Sequence, residues 1–392
     1  MYRSRFLVAA LVAAVLACTT LPRASSAADP YQIDVILPLT GGGAFIGQTH
    51  QKTLTLLEGV LNKQGGIGGR PVQFVFHDDQ TNPAVDVQLV GPILAKKPAV
   101  VIGSSLSALC HALEPLFANG PVMYCLSPAI YPPKGSYAFA NTIDTDDLLA
   151  ATMQYFRDRG ITRIARLVTT DASGQDGFNA ISHALALPEN KSIQLVASEQ
   201  YGPTDVSAGA QVTNIKATQP QAVICWVSGA PVATGLRALH DAGMDVPVVT
   251  SSANMVDSQL KGYQSFLPKE LLFPGVSFAA GLSRSKPVAA AQKLFVDTMK
   301  ANNIDPTLQV GLPWDPALIV IEALKKLGPN ATAAQLRDYI AGLHDFAGIT
   351  GMYDFRSIIQ RGVGRGDVVM IRWDGTKADP WSAVSKLGGA LH

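Results

Sequence analysis

From Gln32 onward the chain alternates short apolar runs with longer amphipathic segments. Runs at 33–37, 72–76, 100–103 and 122–126 have strand length and almost no polar interruption, and segments 50–62, 83–95 and 108–117 between them have helical periodicity. Short strands without polar alternation, separated by helices, predict βαβ units and a parallel sheet covered on both faces. A second series follows 137–141, with strands at 164–168, 193–197, 222–226 and 248–250 and helices at 148–159, 177–185, 206–217 and 232–242. The pattern predicts two similar α/β lobes. Beyond Val276 it turns helical again at 287–302, 314–327 and 333–340, then strand-like at 351–355 and 367–373 across the glycine-rich 362–366. No short-period repeat, low-complexity tract or long linker interrupts it.

Residues 1–28 form a segment of different character: Arg3 and Arg5, an apolar run over 6–17, and small residues over 24–28. This predicts a secretory signal peptide cut near Ala27 or Ala28. Cys18, preceded by Val15-Leu16-Ala17, offers the alternative of lipid attachment. After the leader no run reaches the length of a membrane helix, so the mature chain is expected to be soluble outside the cytoplasm. Basic and acidic side chains number 31 and 30, a balance that argues against nucleic acid or an acidic lipid surface as partner. Of the four cysteines, Cys110, Cys125 and Cys225 survive processing, so one disulfide at most forms within the chain. Cys110 with Cys125 is one pairing, and Cys225 reads as a buried strand thiol.

The stretch Val101-Ile102-Gly103-Ser104-Ser105-Leu106-Ser107 joins a buried strand to a helix and collects hydroxyls beside free helix amides. It has the chemistry to hold an anion without a charged side chain, or else Ser104 or Ser107 simply caps the helix.

Four motifs in order point to a family. They are Leu37-Pro38-Leu39-Thr40-Gly41 after the first strand, Gly65-Gly66-Ile67-Gly68-Gly69-Arg70-Pro71 before the second, His77-Asp78-Asp79 with Asn82-Pro83 after it, and the serine turn followed by Ser127-Pro128-Ala129. Together they resemble the type I periplasmic solute-binding proteins of the branched-chain amino acid family, over nearly the whole mature chain. The resemblance implies two Rossmann-like lobes joined by three crossover segments with a ligand cleft between them. Lobe one would be 29–143 with 278–351, and lobe two 144–277 with 352–392. It implies a monomer in the periplasm that delivers a small carboxylate to an inner-membrane ABC permease, with no cofactor and no catalysis.

Carried over by motif, Ser107 would bind the ligand carboxylate, with Ser105 as near competitor. Ala129 and Tyr131 would add contacts from the next loop, where the amino-acid binders have a small hydroxyl residue in place of Tyr131. Lobe two would contribute Ser173, Gly174 and Gln175 from one loop, Ser228 from the facing wall and Ser252 from a third. Gly174 would leave room where a ring otherwise intrudes. Phe45, Tyr131, Trp226 and Trp314 are the aromatic candidates for gripping a ring or hydrocarbon, with Trp226, at the end of a strand, reading rather as core.

Amino-acid binders of the family place a glutamate after the strand that corresponds to 248–250, and this chain has Ser251-Ser252-Ala253-Asn254 there. An ammonium buried without a counter-charge is costly, so the leading expectation is an aromatic acid or aromatic α-keto acid. Asp171 and Asp176 lie near enough in sequence to restore a charge, which leaves a branched-chain or other amino acid as the alternative. From other classes, a ligand-sensing receptor module or a secreted hydrolase would also be compatible with secretion.

Enzyme signatures are absent. Gly41, Gly43 and Gly47 do not have dinucleotide-loop spacing, and no G-x-S-x-G, H-E-x-x-H or P-loop sequence occurs. Adjacent strand residues such as His77, Asp78 and Asp79 alternate faces and do not converge on a metal. His111, His183 and His240 read as ordinary helix-surface residues.

Overall fold

A computed structural model describes residues 29–391 apart from Ala378. The expected leader and Cys18 lie outside the described residues. Five strands, β1 (Tyr31–Leu37), β2 (Val72–Asp78), β3 (Val100–Gly103), β4 (Val122–Cys125) and β5 (Ala138–Ala140), form one sheet in the order β2-β1-β3-β4-β5, parallel throughout. Their alternate side chains enter two different cores. Val35, Ile102 and Tyr124 face one, while Ile36, Val101, Met123 and Cys125 face the other with Val90, Ile93 and Phe117. Burial on both faces is why these strands read as unbroken apolar runs.

The second sheet has the order β14-β13-β10-β9-β8-β6-β7. Its parallel part is β6 (Arg163–Thr169), β7 (Gln194–Tyr201), β8 (Ala222–Trp226), β9 (Val248–Thr250) and β10 (Leu271–Val276). The late strands β13 (Val368–Trp373) and β14 (Trp381–Ala383) add to it antiparallel. A small hairpin, β11 (His344–Ala347) with β12 (Met352–Asp354), stands apart. Sequence patterning missed β10, because Pro274 and Gly275 in its middle argue against a strand.

Helices α1 (Ala44–Lys63), α2 (Pro83–Ala95) and α3 (Ser107–Leu113) connect the first strands. The second sheet carries α4 (Thr145–Asp158), α5 (Ala172–Ala186), α6 (Gly209–Ala217), α7 (Val232–Asp241) and α8 (Asp257–Tyr263). The chain then returns as α9 (Lys286–Ala301), α10 (Leu308–Gly311), α11 (Trp314–Leu327) and α12 (Ala333–Gly342). Of these, α10 and α11 pack on α1, and α12 packs on β4. Helix α1 begins six residues before the sequence expectation, and α5 begins five before. At Gly65 to Gly69 the chain turns between α1 and β2, with positive φ at Gly65, Gly66, Gly68 and Gly69.

The chain passes between the sheets three times, after β5, after β10 and after β12, giving the two-lobed α/β architecture that the sequence predicts. Arg361, in the last passage, holds the first passage and the loop after β4. Its Nη1 donates to the carbonyls of Asn141 and Thr142, and its Nη2 to those of Pro128 and Ile130, at 2.6 to 3.1 Å. Asp144 stands 3.5 Å from its Nε. A guanidinium with four carbonyl acceptors and a carboxylate is satisfied where it is buried.

A cleft lined by hydroxyl groups

In a parallel sheet, loops that leave the carboxyl ends of the strands where the strand order reverses form a crevice. The first sheet reverses at β1/β3, and the turn after β3 is the serine turn. The second reverses at β6/β8, and the loops after these strands begin at Thr170 and Val227. Beside the Arg361 bonds, two hydrogen bonds cross between the lobes near this crevice. Tyr131 Oη donates to Asp176 Oδ1 at 2.9 Å, and Gln309 Nε2 donates to the Ala253 carbonyl at 3.3 Å.

Each serine of the turn has a different partner. Ser104, fully buried, donates to Asp79 Oδ2 at 2.7 Å. Ser105 Oγ lies 2.8 Å from His50 Nδ1, and Ser107 Oγ lies 2.9 Å from Ser127 Oγ. None caps α3, whose N-cap is Leu106 without a side-chain bond, so the capping alternative fails. The Ser107 and Ser127 hydroxyls share one hydrogen between them, which leaves the other hydrogen free to be donated. Ser127 Oγ also receives the Ala129 amide at 3.4 Å, which tucks Ala129 beneath the loop with 4% exposure. Cys110 and Cys125 form a disulfide that fastens α3 to β4, the strand leading to Ser127. Cys225 is a buried free thiol, as its apolar run implies.

Tyr131 is half-exposed, with the Arg361 guanidinium 5.9 Å from its ring centroid. Burial and the carboxylates of Asp176, Asp146 and Asp144 push its phenol far above the ordinary range, so it stays a donor. The Asp176 carboxyl is itself raised, chiefly by burial, with hydrogen bonds from Thr145 and Tyr131 opposing. Asp171, the other candidate counter-charge, is consumed as the N-cap of α5: its Oδ1 accepts the Gly174 amide at 2.9 Å and the Thr169 hydroxyl at 2.8 Å.

In lobe two Ser173 Oγ and Ser228 Oγ lie 2.6 Å apart, so the loops after β6 and β8 meet. Ser252, half-buried, opens a short turn of 3₁₀ helix. Asn254 braces that turn, with its Nδ2 donating to the Val227 carbonyl at 2.6 Å and its Oδ1 accepting the Gly229 amide at 2.9 Å.

Three expected cleft residues have other neighbours in the structure. A Cβ on Gly174 would stand 1.9 Å from the Thr169 carbonyl oxygen, so this glycine serves close packing of α5 on β6 and frees no pocket space. Gln175 is exposed and turns along the helix to Asn179, 3.1 Å away. Trp314 is 2% exposed and packs edge-on against Phe295, with centroids 5.3 Å apart; it belongs to the core. Trp226, also buried, fills the space that Gly177 leaves on α5. Phe45 projects from the first turn of α1, 49% exposed.

His50, Gln309 and Arg361 were not among the predicted site residues, and Asp176 was named only as one of two carboxylates able to restore a charge. His50 had a readable signal: with Gly47, Leu54, Leu57 and Leu61 it lies on the buried stripe of α1. The Ser105–His50 pair has the spacing of a nucleophile and its base, yet the far ring nitrogen has no partner and burial brings the ring down to about 3. So weak a base with no orienting carboxylate does not activate a hydroxyl. Among the described residues no group of three metal-ligating side chains converges and no helix is long and apolar enough to cross a membrane.

Comparisons with known proteins agree with this fold. The family profile described as periplasmic binding protein matches residues 30–378. A Leu/Ile/Val-binding protein homolog of Brucella melitensis is 27% identical over 61% of this chain and 66% of its own, so the chain spans just under two thirds of that relative. The leucine-, isoleucine-, valine-, threonine- and alanine-binding protein of Pseudomonas aeruginosa is 22% identical over 80% of this chain and 83% of its own. Among solved structures, an extracellular ligand-binding receptor from Rhodopseudomonas palustris HaA2 superposes with a TM-score of 0.79 at 22% identity, covering 91% of this chain and 99% of that one. The profile match over nearly all the described residues, on a fold of two parallel-sheet lobes, makes the chain a non-enzymatic member of the periplasmic binding protein family.

Proposed function

We propose that this chain is the monomeric solute-binding component of an ABC importer and that it closes on a small amino acid, delivering it to an inner-membrane permease. The lobe limits 29–143 with 278–351 and 144–277 with 352–392 belong to the same reading. The observation that carries it is the loop after β4. This loop holds Ser127, paired with Ser107, and also Tyr131, in contact with Asp176 of the opposite lobe. One short segment therefore joins a neutral hydroxyl pair suited to a carboxylate with an acidic group suited to an ammonium.

Asp176 answers the objection drawn from Ser251 to Asn254, since a carboxylate reaches the cleft from α5. An ammonium beside it would favour the ionised carboxylate that burial disfavours. The names of the relatives, binders of leucine, isoleucine and valine, support the same ligand class. A second reading, an aromatic acid or aromatic α-keto acid, draws on the absence of a carboxylate from the loop after β9. Ligand affinity for the closed arrangement supplies the closure in either case.

A thermal-shift screen of the mature protein against L-leucine, L-valine, L-alanine, phenylpyruvate and benzoate tests the proposal. Stabilisation by an amino acid and none by the two aromatic acids is expected. The opposite ranking replaces the proposal with the second reading.

A further inference from the structure

The Ser107 and Ser127 hydroxyls stand 2.9 Å apart on two different elements, and something must hold those elements in register. Ser107 opens α3, a helix of seven residues whose N-cap, Leu106, makes no side-chain bond. So short a helix has almost no stability of its own, and tertiary contacts must place it. Its buried residues are Leu109, Cys110 and Leu113. Ser127 lies in the loop after β4, beyond the last strand residue, Cys125.

The disulfide joins these same two elements behind the hydroxyls. Cys110 lies one helical turn after Ser107, on the same face of α3. The chain bends at Leu126, which brings the Ser127 amide back to donate to Cys125 Sγ at 3.2 Å. The Leu126 amide donates to the Ser104 carbonyl at 3.0 Å, a third link between the serine turn and the loop. That backbone link holds Ser104, ahead of the helix, whereas the disulfide holds the helix that carries Ser107. Both sulfurs are fully buried in the second core, and Ser107 is half-buried.

We propose that Cys110 and Cys125 are positioning residues for carboxylate binding: their bond keeps Ser107 and Ser127 in hydrogen-bond contact, so that the ligand meets a preformed pair. The inference rests on the reading of this pair as the carboxylate site. Without the bond α3 is free to shift against β4, each hydroxyl turns to water, and the ligand must order both when it binds. The buried sulfurs act through the serines, not on the ligand. This role is separate from the stability that a cross-link gives by restricting the unfolded chain, which does not depend on Ser107.

Calorimetric titration of L-leucine and 4-methyl-2-oxopentanoate tests it, well below each melting transition. The proteins are oxidised wild type, Cys110→Ala/Cys125→Ala, the better-filled Cys110→Val/Cys125→Ala, Ser107→Ala, and Ser107→Ala combined with each cysteine pair. Loss of the bond should weaken both ligands alike, by about threefold to tenfold, because both bring a carboxylate. In the Ser107→Ala background the same loss should cost almost nothing more, since the pair is already gone. Wild-type affinity in a folded cysteine variant overturns the inference. Additive losses overturn it too, because the bond then acts without the hydroxyl pair. If neither cysteine variant folds, the bond serves folding alone and the inference falls. If Ser107→Ala binds like wild type, or neither ligand binds wild type, the carboxylate reading is what fails, and this inference fails with it.

Discussion

Tyr131 reaches across the cleft to Asp176, its hydroxyl donating to a carboxylate oxygen 2.9 Å away. Tyr131 is fixed from behind by Arg361, which accepts no hydrogen bond but donates to the Pro128 and Ile130 carbonyls of the same loop. Asp176 is fixed by α5, whose first turn is capped by Asp171. The contact is therefore one between two rigid supports, and it carries the one half-buried carboxylate that the lobe-two helix brings to the loop after β4.

Replacing Asp176 by asparagine should weaken L-leucine far more than 4-methyl-2-oxopentanoate, since only the former has an ammonium to lose. The loss should be on the order of 1.5–3 kcal/mol, the range for a hydrogen bond to a charged group. Because burial raises the Asp176 carboxyl, acidification protonates it earlier than an exposed aspartate, and wild-type affinity for leucine should fall on acidification. Calorimetric titration over pH reads both effects, and an equal loss for the two ligands would remove Asp176 from the ammonium site.

The disulfide closes a loop of sequence separation 15 between α3 and β4. Opening a loop of this size costs roughly 3 kcal/mol in the chain-entropy account. Denaturant unfolding with and without reductant should show a shift of that order, and a Cys110→Ala/Cys125→Ala variant should match the reduced protein. Identical midpoints would mean the bond adds no stability.

Asp86 gives a pH dependence of definite sign. Both of its carboxyl oxygens are buried without a partner in α2, and burial, aided by Asp79, pushes it up to about 8. The unfolded chain ionises Asp86 near 3.8. Its contribution to stability is thus fully present below that pH and is lost as pH climbs towards 8, by up to a few kcal/mol at about 1.4 per pH unit. Asp86→Asn, neutral at every pH, should equal wild type near pH 4 and exceed it near pH 8 in melting temperature. A difference that stays constant with pH would contradict this.

The fold was legible because burial on both faces writes itself into strands such as 100–103 and 222–226 as unbroken apolar runs. Strand β10 was not legible, since tertiary pairing with β9 and β13 overrides the local preference of Pro274 and Gly275. Within the site, Ser105, Ser107, Ser173 and Ser228 stood out as hydroxyls in turns after strands. Gly174 and Trp314 did too, but which side of a helix a residue presents depends on packing: Thr169 approaches Gly174 and Phe295 covers Trp314. Arg361 lies more than 200 residues in sequence from each carbonyl it holds, a relationship no local pattern encodes.

The central claim is that the hydroxyl pair Ser107–Ser127 holds the carboxylate of a small amino acid. Calorimetric titration of L-leucine into wild type and Ser107→Ala, with the melting temperature of each ligand-free protein as control, tests it most directly. We predict a loss of affinity of about tenfold, or 1.4 kcal/mol, with the ligand-free melting temperature preserved. Equal affinity in the two proteins would contradict the account.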